Sequence, residues 1–239
     1  MLFRSRLANP PMNTMAHDMR IAMHDLLQKA AQDPAIKAIV LTGSGRAFCA
    51  GAEIREFNTP AANDYPNSRD LVAALEASPK PVVAAIHGVA MGGGLELALA
   101  CHYRVAVAGA QLALPEVKLG LMPGAGGTQR LPRALGVERA LDLILNGRTV
   151  NAETMAGTLL VDKIIEGDLV EGAVAFAGSL PAGSAALRRL SDIELKIDNA
   201  EAFFAEQRQK AAKSWRGYPA PAKCIDAVEA ALRLPVDQG

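Results

Sequence analysis

Two carboxylates stand in apolar company. Glu96 lies within Leu95-Glu96-Leu97-Ala98-Leu99-Ala100, and Glu116 within Leu112-Ala113-Leu114-Pro115-Glu116-Val117. Carboxylates are seldom buried without partners, because taking the ionised form out of water is expensive. Two of them in apolar surroundings suggest a general acid and a general base with raised pKa values. The plainer reading has each point outward or cap a nearby helix end. Glu53, Glu56, Glu76 and Glu138 lie among polar neighbours and take that plainer reading. Three glycine-rich turns complete the inventory: residues 46–54, 89–96 (with Gly92-Gly93-Gly94) and 122–128 (with Gly124-Ala125-Gly126-Gly127). Glycines that open a helix leave its first N–H groups uncovered, which suits an oxyanion or a phosphate. For any one turn alone, tight strand-to-helix connection and close packing are the commoner reasons for glycine.

Several familiar chemistries are absent. Gly43-Ser44-Gly45 would need glycine at position 48 for a dinucleotide fingerprint, but that residue is Phe48; Gly124-Ala125-Gly126 would need it at Gln129. Gly88 and Gly93 have P-loop spacing, but Gly94 sits where lysine must be. There is no GxSxG serine elbow. The four histidines (His17, His24, His87 and His102) form no HExxH, so no metal site is expected. His17 and His24, seven apart on one helix, read as a surface pair.

The elements that must position these residues follow from periodicity. Met15, Met19, Met23, Leu26 and Ala30 recur at spacings of three and four, predicting a helix over 14–32 capped by Asn13 or Thr14 and ended by Asp33-Pro34. Short apolar strands are expected over 36–41, 82–86 and 105–107, and helices over 68–76 and 93–101. Alternating short buried strands and helices mean an α/β fold with parallel strands. After Ser179 the character turns helical, with Phe203, Phe204, Trp215 and the run 224–232; Pro181-Ala182-Gly183 is the expected boundary.

Composition agrees with a folded domain of zero net charge. The 239 residues are 50% hydrophobic, enough for one full domain with a sizeable core. With 25 Lys+Arg against 25 Asp+Glu, the net charge is +0, which argues against a nucleic-acid partner. Cys49, Cys101 and Cys224 form no CxxC and leave one thiol unpaired in any disulfide scheme, favouring a reduced setting over secretion. The longest apolar run, 81–101, carries His87, Glu96 and three glycines, so no membrane span is expected.

Three long, gapless stretches now point one way: GRAFCAGAEI at 45–54, KPVVAAIHGVAMGGGLELALAC at 80–101 and LPEVKLGLMPGAGGTQRLPR at 114–133. The chain resembles the enoyl-CoA hydratase/isomerase (crotonase) superfamily, most of all the hydratase half of multifunctional fatty-acid-oxidation proteins. The resemblance implies a crotonase-like spiral of repeated ββα units over 1–180, followed by a helical C-terminal region over 181–239 or the start of a linker to a dehydrogenase half. It implies that Glu96 activates water and that Glu116 exchanges a proton with the substrate's C2. It matches the N–H groups of Ala52 and Gly93 to an oxyanion hole and that of Gly124 to water positioning. Ala50, Ile54, Arg55 and Gly94 are matched to CoA or substrate binding. It further implies an acyl-CoA thioester as substrate with no separate cofactor and a homo-oligomer or a longer chain as context. The compartment would be cytoplasmic in a bacterium, and peroxisomal or mitochondrial in a eukaryote. Two departures stand out. Residues 1–6 do not read as the strand pair that the family places before Asn9-Pro10-Pro11, so a shortened N-terminus is expected. Leu114 stands where many single-function members carry a glutamine that helps hold the water-activating carboxylate. Other thioester-enolate chemistry on this fold, and a non-catalytic RNA-binding homologue, are the competing readings.

Overall fold

The computed structural model describes residues 2–181, 183 and 187–239. Along the first half run β1 (Leu2–Leu7), α1 (His17–Gln32), β2 (Ala38–Gly43), α2 (Ser68–Glu76), β3 (Val82–Ile86), β4 (Val89–Met91), α3 (Gly93–Ala100), β5 (Tyr103–Ala106) and β6 (Gln111–Ala113). The second half holds α4 (Gly127–Leu135), α5 (Val137–Asn146), β7 (Val150–Asn151), β8 (Lys163–Ile164), α6 (Leu169–Gly178), α7 (Ala200–Ser214) and α8 (Ala220–Ala230). β1, β2, β3, β5 and β8 lie side by side as a parallel sheet. β4, β6 and β7 form a second, smaller sheet. From β3 to β6 the strands alternate between the sheets: β3 and β5 lie in the first, β4 and β6 in the second. β3–β4–α3 is one ββα turn, and β5–β6 leads through residues 114–126 into α4. This is the spiral that the resemblance implies.

Every residue of β2 and β3 is buried, as a parallel sheet covered on both faces requires. Side chains alternate between the faces with period two. Val40, Val83, Ala85 and Val105 pack under Ala173 and Ala177 of α6. Ile39, Leu41, Val82, Ala84 and Ile86 point the other way, into the main core shared with α1, α2 and α3. Phe204 of α7 and Cys224, Ile225 and Val228 of α8 are buried in that same core, so the helical C-terminal region packs onto the rest. The expected boundary residue Ala182 lies outside the described residues. All three cysteines are buried free thiols. Among the described residues no helix is long and apolar enough to cross a membrane.

Among the described residues a single strand, not a strand pair, precedes Asn9-Pro10-Pro11, and sequence reasoning did not mark it: Leu2–Leu7 pairs in parallel with the whole of β2, from Leu2 beside Ala38 to Leu7 beside Gly43. Phe3, Ser5 and Leu7 face inward while Arg4 and Arg6 stay exposed, an edge strand whose charges mask its alternation. The first helix starts at His17, and neither Asn13 nor Thr14 caps it. Asn13 adopts φ 55° and its amide donates to the carbonyls of Ser44 (2.8 Å) and Ala47 (2.7 Å), tying this segment to the first glycine turn. Glu56 serves the helix start instead, accepting from the His17 N–H at 2.9 Å.

Candidate active site

The second glycine turn builds the floor. Gly92 has φ +53°, and its N–H donates to the Ala113 carbonyl at 2.9 Å, pinning the start of α3 to β6. α3 is apolar all round and buried throughout, the pattern of a helix in the core. It therefore carries Glu96 inward, where the side chain is only 3% exposed. Glu96 Oε1 accepts two hydrogen bonds, from the N–H groups of Ala125 and Gly127, both at 2.8 Å. Both donors belong to the third glycine turn. Between them Gly126 has φ +94°, a left-handed conformation that suits glycine and lets both N–H groups reach one oxygen. Leu114 lies beside Gly127, where an added methyl would sit 2.9 Å from its Cδ1, and offers the Glu96 carboxylate packing but no hydrogen bond.

Glu116 opens the short 3₁₀ turn Glu116–Leu119 that follows β6. Its Oε1 sits beside Gly92, 3.3 Å from where a methyl there would be, and its Oε2 is buried without a hydrogen-bond partner. Glu96, Glu116, Ala52, Gly93, Gly124 and Ala125 all line one cavity of about 300 Å³. Burial pushes the Glu116 carboxyl up to about 8, with the neighbouring Glu96 charge adding to the effect. Burial also pushes Glu96 upward, but the Gly127 and Ala125 N–H groups and the charge of Arg130 offset part of it. Of the two, Glu96 has donors for an ionised oxygen, while Glu116 lacks one on Oε2. The two N–H donors make Glu96 the better placed of the two to carry a charge, and their lack makes Glu116 the better placed to keep a proton.

The first turn supplies the other wall. Cys49 N–H donates to Val89 and Met91 N–H to Cys49, so the turn runs along β4; Met15 N–H donates to the Gly51 carbonyl at 2.8 Å. A methyl built on Gly93 would lie 3.4 Å from the Ala52 nitrogen, so these two backbone N–H groups are neighbours. Among the described residues neither donates to a protein acceptor. The Gly93 N–H also opens a helix, whose dipole favours negative charge there. The cavity therefore presents two free donors opposite a carboxyl pair, an arrangement suited to holding an oxyanion while a proton moves.

The remaining predicted residues divide. Ala50 and Ile54 line the cavity. Arg55 does not: its side chain is 85% exposed and pairs with Glu53 at 2.9 Å. Gly94 packs away from the cavity, where a methyl would lie 2.1 Å from the Cys49 carbonyl oxygen, so close backbone approach accounts for it. Gly124 lines the cavity, while the hydrogen bonds to Glu96 come from Ala125 and Gly127, which sequence reasoning passed over. Their signal was the turn itself, since Gly124-Ala125-Gly126-Gly127 puts successive N–H groups at one helix start. Glu53 keeps its plain reading, accepting from the Arg55 N–H as a cap. Glu76 does not. It is only 8% exposed and pairs with Arg130 Nη2 at 2.7 Å. Helical spacing explains the correction, because Leu71, Val72 and Leu75 bury the same face of α2.

The family model for enoyl-CoA hydratase/isomerase matches residues 3–215. A Danio rerio peroxisomal bifunctional enzyme is 43% identical over 98% of this chain, which spans 32% of that relative's length. A Bacillus subtilis (strain 168) protein named as a probable enoyl-CoA hydratase is 39% identical over 71% of this chain and 68% of its own. The solved enoyl-CoA hydratase of Bacillus anthracis superposes with a TM-score of 0.67 at 27% identity, covering 96% of this chain and 86% of that one. Sequence and architecture agree: the chain belongs to the enoyl-CoA hydratase/isomerase family.

Proposed function

We propose that this chain is an enoyl-CoA hydratase, adding water across the 2,3 double bond of a trans-2-enoyl-CoA in fatty-acid β-oxidation. The observation that carries the reading is the cavity shared by Glu96, Glu116 and the free N–H groups of Ala52 and Gly93. In this reading the thioester carbonyl oxygen lies between the two N–H groups. Glu96 takes a proton from water as the water oxygen bonds to C3. The π electrons move through C2 to the carbonyl oxygen, giving an enolate that the two donors hold. Glu116 then gives its proton to C2 as the carbonyl re-forms. The two carboxyls end with exchanged protonation states, and return of one proton from Glu96 to Glu116 resets the site. A single donor in such a hole lowers the barrier by about 2.7–4 kcal/mol.

The same geometry supports a second activity, Δ3,Δ2-enoyl-CoA isomerisation. Glu116 alone would move a proton between C4 and C2, with Glu96 a bystander. Isomerisation needs Glu116 ionised at the start, to take the C2 proton that it returns at C4, so this activity should strengthen as pH rises toward about 8. The thioester is substrate, and the proposed steps draw on no separate cofactor. Ile54, Leu119 and Leu121 at the cavity mouth offer apolar cover for the bound thioester. For context we read a homo-oligomer or a part of a longer multifunctional chain, which light scattering and the full reading frame would test. The functional test is direct: purified protein with crotonyl-CoA should consume the conjugated double bond and yield 3-hydroxybutyryl-CoA. Absence of turnover on enoyl-CoA thioesters of several chain lengths would overturn the reading.

A further inference from the structure

The proposed chemistry asks two neighbouring buried carboxyls to behave differently, and the structure contains a device outside the cavity wall that could enforce this. The turn that holds Glu96 is itself held. Arg130 of α4 is only 4% exposed; its Nη1 donates to the Ala125 carbonyl at 3.3 Å, and its Nη2 to Glu76 Oε2 at 2.7 Å. A methyl on Gly126 would lie 2.2 Å from Nη1, so the guanidinium fills the space under the turn. Glu76 is fixed in turn: the Ser191 N–H donates to its Oε1 at 3.1 Å. The charged and titratable groups around Glu96 are few. Glu116 faces it from the segment after β6, Arg130 from α4 and Arg69 from the cavity rim on α2; Glu76 lies behind Arg130 with Arg133 along the same helix, and the neutral Cys224 thiol of α8 faces Glu116.

We propose that Arg130 is a positioning residue for the reaction: it fixes the Ala125–Gly127 turn that holds Glu96, its positive charge favours ionisation of Glu96 over Glu116, and Glu76 sets how much of that charge Glu96 feels. The proposal rests on the hydratase reading for its use in turnover, but its electrostatic core does not. An opposite charge nearby lowers a carboxyl's pKa, and a carboxylate bound to that cation blunts the effect. Removing Arg130 and removing the Glu76 charge must therefore act in opposite directions, which a purely structural ion pair would not do.

The test is a titration of the Glu96 carboxyl by carbon-13 NMR on glutamate-labelled protein, with Glu96→Gln to assign the signal and circular dichroism to confirm folding. Glu76→Gln should lower the Glu96 midpoint. Arg130→Met combined with Glu76→Gln, which leaves no unpaired buried charge, should raise it by about one pH unit relative to Glu76→Gln alone. Arg130→Lys should keep the midpoint near that of the parent protein while lowering kcat several-fold, because the fork to Ala125 is lost. The acidic limb of the hydration profile should move with the midpoint in each variant, with KM little changed. A midpoint unmoved by all three changes, or moved the same way by Glu76→Gln and by loss of Arg130, overturns the proposal. A parent protein that hydrates no enoyl-CoA would overturn the functional reading and leave the titration result standing.

Discussion

Helices α2 and α3 pack together, and each sends one carboxylate into the interior: Glu76 from α2 and Glu96 from α3. Burial works against ionisation of both. At Glu76 the hydrogen bond and charge of Arg130, with the Ser191 N–H, outweigh it, and the carboxyl titrates below the usual range. At Glu96 the compensation comes from two backbone N–H groups and a more distant Arg130, and burial wins. Glu116 has less still and is pushed to about 8. Burial alone therefore does not make a reactive acid; the nature and number of partners decide. A buried carboxylate bonded directly to a cation becomes part of the frame, and one held mainly by backbone dipoles remains available for proton transfer.

The largest expected effects break the reactive side of this contrast. Glu116→Gln should lower hydration, and any isomerisation, by about 10⁴-fold, the upper range for a general acid. Glu96→Gln should lower hydration by about 10²–10⁴-fold while sparing isomerisation, since only hydration needs activated water. Steady-state rates with 2-enoyl and 3-enoyl thioesters read both; equal loss of the two activities in Glu96→Gln would remove the division of labour.

Breaking the framework side should leave a different signature. Glu76→Leu strands the buried Arg130 guanidinium and should destabilise the fold by about 3–5 kcal/mol, read as a lower urea midpoint. Next comes Gly93→Ala. Its new methyl displaces the flexible end of Met15, 2.6 Å away, and stands 3.4 Å from the Ala52 nitrogen. Melting should change little while turnover per folded molecule falls about 10²–10³-fold, the loss of one oxyanion donor. Early melting with unchanged specific turnover would instead assign Gly93 to packing.

A change of pH sharpens the same comparison. An unperturbed carboxyl releases its proton near 4.5, whereas Glu116 in the folded protein holds it to about 8. Between those values the unfolded chain binds fewer protons than the folded one, so this group's contribution to stability falls as pH rises. Glu116→Gln removes that slope. The variant's advantage in Tm over the parent protein should grow by about 7–14 °C from pH 5 to pH 8 by calorimetry. An advantage that shrinks over the same interval would place the proton elsewhere in the pair. For hydration itself, the rate should drop as pH rises through about 8, where Glu116 loses its proton.

Much of the framework was legible before any coordinates. The apolar runs mark β3 at 82–86 and α2 at 68–76 because burial on both faces, or on one helical stripe, leaves a local pattern. Glu96 and Glu116 stood out because a charge in an apolar run is an exception that needs a reason. β1 escaped notice because Arg4 and Arg6 dilute an alternation only six residues long. The start of α1 was misplaced because its cap, Glu56, comes from 39 residues away along the chain.

What the sequence by itself determined is the class of element, the two odd carboxylates and the glycine turns, all properties of neighbours along the chain. What only the tertiary structure decided is which partner each charge meets. Glu96 receives its hydrogen bonds from residues 29 and 31 positions away, and Glu76 finds Arg130 at a separation of 54. No local pattern encodes those pairings. They arise because the spiral stacks α2, α3 and α4 against one another, and the sign of each carboxyl's pKa shift follows from that stacking.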